Sequence, residues 1–191
     1  MKALSLLLIG SLSLAACTTQ TPDTTTNSNE PEVSVQEVFP TDFEDVCNGI
    51  PQSKGTAYTE TAGTHPVVLF SRESSSASYY ETSYTLPEAW QLDWQEAEKF
   101  ELVTCVTTEP KEMAESCEYD IEGDAYTLNT YSADYQVNLY AATTGTELAS
   151  TKLSLPADPC PSLHFFSEKT ENHYPDYSQS LTEFLKPYAQ K

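Results

Sequence analysis

Arginine occurs once in this sequence of 191 residues, at Arg72, and basic residues number 9 against 29 acidic ones. So acidic a chain has no basic patch for a phosphate backbone or for anionic lipid, which argues against nucleic-acid binding and electrostatic attachment to membranes. A single guanidinium also leaves a phosphate clamp almost no material. Glycine is scarce, with 6 in all, and none of them builds a P-loop, a G-x-G-x-x-G fingerprint or a G-x-S-x-G elbow. H-E-x-x-H and C-x-x-C are missing as well, which removes the common zinc-protease, zinc-ribbon and thioredoxin-type motifs. No cofactor is expected. No apolar run reaches the roughly 20 residues that a membrane-spanning helix needs.

What is present begins at the amino terminus. Met1-Lys2 forms a short positive end, and residues 3–16 are almost wholly apolar or small, interrupted by the hydroxyls of Ser5, Ser11 and Ser13. Too short to span a bilayer, residues 1–16 read as a signal peptide. The run closes on Leu14-Ala15-Ala16-Cys17, which resembles the lipobox of bacterial lipoproteins. In that family the cysteine receives a diacylglyceryl thioether, the leader is cut just before it, and the new amino terminus is acylated. The resemblance implies lipidation of Cys17, export, and anchoring to a bacterial membrane through the lipid. It implies no activity. Cysteine is required because its thiolate is nucleophilic near neutral pH, and two or three acyl chains at about 0.8 kcal/mol per buried methylene make the attachment permanent. Thr18 stands where some family members carry an aspartate that retains them in the inner membrane, which favours the outer membrane in a host with two.

Residues 18–32 contain no large apolar side chain and are biased to Thr and Pro. Such a segment cannot offset its ordering entropy, so with Cys17 it is expected to form a disordered tether over 17–32. A flexible chain of about 15 residues reaches on the order of 20 to 25 Å, enough to clear lipid headgroups. Loss of residues 1–16 takes Lys2 away and leaves 8 basic against 29 acidic groups, a side-chain charge of −21. Residues 33–191 are the length of one domain with one core. The SSSAS stretch within 71–83 reads as a long exposed loop.

Four further cysteines, Cys47, Cys105, Cys117 and Cys160, make an even count in a chain that leaves the cytosol, where disulfides are the default. Three connectivities are open. The strand-forming residues around Cys105 and those after Cys117 are separated by EPKEMAES, and if this is a loop between neighbouring strands it brings Cys105 to Cys117. Cys47 then pairs with Cys160 by exclusion.

The strongest local signal is a hairpin. Tyr135, Val137, Leu139 and Ala141 share one face by period two, Thr143-Thr144-Gly145-Thr146 supplies a turn, and 148–155 returns with Ala149, Leu153 and Leu155 aligned. A strand at 126–130 leads into it, and Val67-Val68-Leu69-Phe70 forms another. Segment 87–99 is ambiguous, with Trp90 and Trp94 one helical turn apart. Tyr177, Leu181, Phe184 or Leu185, and Tyr188 recur at helical spacing, with Pro187 limiting that helix. The expected fold is mainly β, or α+β: an antiparallel sheet or small sandwich with one or two short helices and two disulfides. A spaced pattern runs through Cys47 with Gly49, Ala57-Tyr58, Gly63 with His65-Pro66, Leu102-Val103 with Cys105, Cys117 with Tyr119, 135–140 with Ala142 and Gly145, and Cys160-Pro161. In this the body resembles uncharacterised extracytoplasmic bacterial domains, which implies a shared fold and disulfide pairing and no activity.

Two histidines are candidate ligand-site residues. If Cys47 and Cys160 are joined, His164 lies near the first loop and His65 can meet it, a pair able to serve as base or metal ligand. Asp120, Glu122 and Asp124 resemble the start of a calcium loop, but Gly123 comes too early and the distal glutamate is missing, so a solvated turn is expected. The expectation for function is a non-enzymatic, lipid-anchored binding or structural module with an envelope protein, peptide or glycan as partner. The alternatives are an envelope hydrolase with an unrecognised active site and a solute-binding lipoprotein, the latter disfavoured because one domain lacks two closing lobes.

Overall fold

The computed structural model describes residues 37–191, so the leader, Cys17 and the tether lie outside the described residues. The domain is mainly β, built on one mixed sheet of six strands: β1 (Val67–Arg72), β2 (Tyr80–Glu81), β3 (Leu102–Ile121), β4 (Asp124–Ala141), β5 (Glu147–Leu155) and β6 (Thr170–His173). The order is β2-β1-β3-β4-β5, with β6 added to the outer part of β4. The β1/β2, β3/β4 and β4/β5 pairs are antiparallel, while β1/β3 and β4/β6 are parallel.

The expected hairpin is β4/β5, and its apolar positions point inward as the alternation requires. Val67, Leu69, Leu102, Val106, Tyr135, Val137 and Leu139 make one face of the sheet, against which α1 (Ser178–Ala189) packs Leu181, Leu185 and Ala189. The helix continues two residues past Pro187, whose missing N–H falls in the last turn. The opposite face buries Val68, Phe70, Val103 and Cys105 under Phe43 and Val46, from a 3-10 helix at Pro40–Asn48, and under Ala97 and Phe100.

Segment 87–99 is two short 3-10 turns, Glu88–Trp90 and Trp94–Lys99, rather than one helix. The physical reason is that it serves both cores. Trp90 is buried in the α1 side, whereas Leu92 and Ala97 pack on the other, which no single helix face can do. Trp94, 56 % exposed, stacks on Phe39 instead.

The disulfides are Cys47–Cys105 and Cys117–Cys160, which corrects the expected pairing of Cys105 with Cys117 and Cys47 with Cys160. The error lies in EPKEMAES, which is not a loop. β3 runs through it without a break, so Cys105 and Cys117 sit on one strand, on the order of 40 Å apart at about 3.3 Å per residue. Pro110 is tolerated because β1 stops opposite Thr107 and leaves that edge of β3 unpaired, and register shifts follow between Pro110 and Glu115. Proline, charge and bulges are how a strand edge survives in solvent.

Beyond β1, the outer halves of β3 and β4 form an arm closed by the turn Glu122-Gly123. Both turn residues have positive φ, 57° and 90°, the geometry of a two-residue type I′ hairpin. Asp120 accepts the Gly123 N–H at 2.9 Å, and Asp124 pairs with Lys169. The acidic cluster is a solvated turn, as expected. Cys117–Cys160 fastens the segment after β5 onto the arm, where Phe166 packs on Tyr119 and Tyr126.

Candidate functional site

The two histidines lie at opposite ends of β3. His65 is buried beside Glu101, just before the strand begins, and His164 stands against Phe166 over Tyr119 near its far end. At about 3.3 Å per residue that separation is on the order of 60 Å, so they form no pair. His65 has both ring nitrogens engaged, Nδ1 with Glu101 Oε2 at 2.7 Å and Nε2 with the Thr61 carbonyl at 2.9 Å. No ring nitrogen is left for a metal or a substrate proton.

His164 is engaged at one ring nitrogen. Its Nε2 meets Glu171 Oε2 at 2.9 Å, and the other oxygen of Glu171 accepts from the Ser167 hydroxyl at 2.8 Å and the Glu168 N–H at 2.9 Å. The His164 contact, followed by these donors, pushes the Glu171 carboxyl down to about 2 from an ordinary 4.5. A lowered carboxylate stabilises the fold above its ordinary pKa and ceases to do so as pH falls through the folded value. The melting-temperature difference between wild type and Glu171→Gln should therefore be full above about pH 5 and shrink toward about pH 2. A difference constant across that window would contradict the assigned contacts.

Glu115, Cys117 and Cys160 bring potential ligand atoms close together, but both sulfurs are consumed in the disulfide and cannot bind a metal. A shallow groove of about 450 Å³ between α1 and the turn at Thr85 to Pro87 presents Ser178, Thr182, Glu183 and Lys186, with no histidine or cysteine.

The candidate site is the polar part of the sheet face opposite α1. Register places Arg72 on β1, Thr107 on β3, Gln136 on β4 and Lys152 on β5 in one cross-strand row. With strands about 4.8 Å apart, the row spans on the order of 14 Å. The apolar cover on this face ends one row earlier, at Phe70 and Cys105. The same alternation that buries Tyr135, Val137 and Leu139 behind the sheet turns Asn138, in the row of Phe70 and Cys105, and Gln136, in the row beyond, to the front, both partly exposed. Arg72 Nε donates to Thr107 Oγ1 at 2.9 Å, and its guanidinium lies 4.4 Å from the ring centre of Tyr79. Gln136 Nε2 donates to Asn138 Oδ1 at 3.5 Å, and Asn138 Nδ2 to Glu147 Oε2 at 3.3 Å.

The next row is an ion cluster. Asp134, 3 % exposed, meets Lys111 at 2.6 Å and Lys152 at 2.7 Å and accepts from the Ser154 hydroxyl at 2.7 Å. Lys111, then Lys152 and Ser154, hold its carboxyl well below the usual carboxylate range. Burying a charge is tolerable only with this kind of pairing. The same contacts bear on catalysis. Asp134, then Glu109, raise the Lys152 pKa, and the Ser154 hydroxyl donates its hydrogen bond to Asp134 and not to Lys152, so the neighbours Lys152 and Ser154 do not constitute a base and an activated nucleophile. The face can bind through hydrogen bonds and charge.

This row is not legible in the sequence. Its available signal was polar residues alternating with core positions, as in Gln136 and Asn138; the missing information was the register joining four distant segments. Comparison with protein-family models, with curated proteins and with solved structures gives no match for this chain.

Proposed function

We propose that this chain is a lipid-anchored extracytoplasmic module that binds a polar ligand on the open face of its sheet and does no chemistry on it. The lipobox ending at Cys17 supports the anchor, and the two disulfides among the other four cysteines are compatible with a compartment outside the cytosol. The acidic charge disfavours nucleic acid and is compatible with an envelope protein, peptide or glycan as the partner. The observation that carries the reading is the cross-strand row of Arg72, Thr107, Gln136 and Lys152, in which Arg72, Gln136 and Lys152 reach solvent and Lys152 is shared with the neighbouring ion cluster.

The test is a panel of envelope peptides and glycans presented to the full chain in detergent, with a Gln136→Ala/Asn138→Ala variant alongside. The expected result is a ligand retained by wild type and bound roughly tenfold more weakly by the variant at unchanged melting temperature. Binding indifferent to these substitutions, or a turnover abolished by one substitution, would overturn the reading.

A further inference from the structure

The cations of this protein are not equivalent. Lys99, Lys111, Lys152, Lys169 and Lys191 each have a carboxylate within ion-pair distance. Among the described residues Arg72, Lys54 and Lys186 have none, despite the excess of 29 acidic over 9 basic side chains. Lys54 and Lys186 end in ammonium groups for which the described residues provide no carboxylate partner. Arg72 alone of the three is fixed in place, by Thr107 at its Nε and by the Tyr79 ring. A guanidinium carries five N–H donors in a rigid plane, so holding Nε still aims the four on the terminal nitrogens.

We infer that Arg72 is the anchor for the carboxylate of an acidic sugar, whose hydroxyls are met by the amides of Gln136 and Asn138. The inference rests on the sheet face being the binding surface and names what it takes. An arginine positioned but not neutralised suits a planar two-oxygen anion, which it receives through two parallel hydrogen bonds. Phosphate fits less well. The other cations of this face, Lys111 and Lys152, are already committed to Asp134 and Glu109, and the Glu147 carboxylate stands beside Asn138, so Arg72 is the single uncommitted cation of the face, too little for a dianion. The body of the ligand is assigned from its surroundings. Across the sheet from Arg72 stand the hydroxyl of Thr107 on the adjacent strand and the amides of Gln136 and Asn138 on the next, on the order of 10 Å away, and the Tyr79 ring lies against the guanidinium. Ring hydroxyls, which both donate and accept, match primary amides.

Because arginine occurs once, the full chain gives a single arginine Nε–Hε resonance, and that signal reports the site directly. It would be titrated with glucuronate, glucose, acetate and inorganic phosphate, while the side-chain amide signals of Gln136 and Asn138 are followed in parallel. The expected result is a saturable shift of the arginine signal by glucuronate, with affinity roughly tenfold above that of acetate and with Gln136 and Asn138 moving together. Arg72→Lys should bind roughly tenfold more weakly and Arg72→Gln not measurably, each checked for an unchanged backbone amide spectrum. The wild-type titration decides the matter even if a variant unfolds. Phosphate or acetate binding as tightly as glucuronate overturns the assignment. If glucose moves Gln136 and Asn138 while the arginine signal stays still under every probe, the face binds and the role of Arg72 is wrong. If no probe moves any of the three, the acidic-sugar assignment falls; the peptide and glycan panel then decides separately whether the binding face falls with it.

Discussion

Replacing Cys47 and Cys105 together by alanine is expected to cost about 4 kcal/mol of stability. The bridge spans a sequence separation of 58, and closing a loop of that size in the unfolded chain accounts for about 4 kcal/mol in the chain-entropy description. Packing adds to this, because Cys105 is buried among Phe70, Val103 and Phe43 and the bridge fastens the 3-10 helix at Pro40–Asn48 over that cluster. The Cys117–Cys160 bridge has a comparable separation of 43 but a different place, since it binds the segment carrying Phe166 to the outer arm. Its removal should loosen the arm, seen as faster amide exchange at 117–130 than in the body. Denaturant unfolding of the oxidised protein and the two double variants measures both effects. A loss below about 1 kcal/mol for the Cys47/Cys105 variant would contradict its assigned role.

Tyr135→Ala is expected to be as damaging, at about 3 to 5 kcal/mol, the range for deleting a large buried aromatic ring. Tyr135 is 1 % exposed, lies 4.6 Å from the Tyr177 ring by centroids, and donates its hydroxyl to the Pro175 carbonyl at 2.6 Å. Desolvation, helped by the neighbouring Tyr177, raises its pKa, so the hydroxyl keeps the proton that the bond needs. Tyr135→Phe retains the ring and leaves the buried carbonyl without its donor, for about 1 to 3 kcal/mol. Tyr135 and Gln136 are consecutive on β4, one facing the core and the other the polar row. The alanine variant should therefore weaken ligand binding as the strand relaxes into the cavity, while the phenylalanine variant should bind as wild type does. Equal costs for the two substitutions would show that the ring is not what matters.

The parts of this fold that were legible are those in which local pattern and tertiary environment agree. From Tyr135 to Ala141 strand β4 alternates, Gly145 takes φ 63° in the turn to β5, and α1 shows its apolar stripe because one side of it meets the sheet. Where one segment serves two environments, local pattern misleads. β3 begins with seven consecutive buried residues and continues as an exposed arm with Pro110 and several charges, so its middle imitates a loop. That single misassignment propagated to the disulfides and from them to the idea that His65 and His164 could meet. The candidate site was illegible for a related reason. Arg72 was conspicuous as the only arginine, but its neighbours Thr107, Gln136 and Lys152 come from strands up to 80 positions away, and only register brings them into one row.

Export, as proposed, would place the four cysteines where they oxidise and the polar face where it meets a ligand. Intact-mass analysis of the chain extracted from membranes tests this most directly. The predicted species begins at Cys17, carries acyl chains on that residue, and has no free thiol, its remaining cysteines being joined as Cys47–Cys105 and Cys117–Cys160. A species that starts at Met1, bears no lipid and titrates with free thiols in the native state would contradict it.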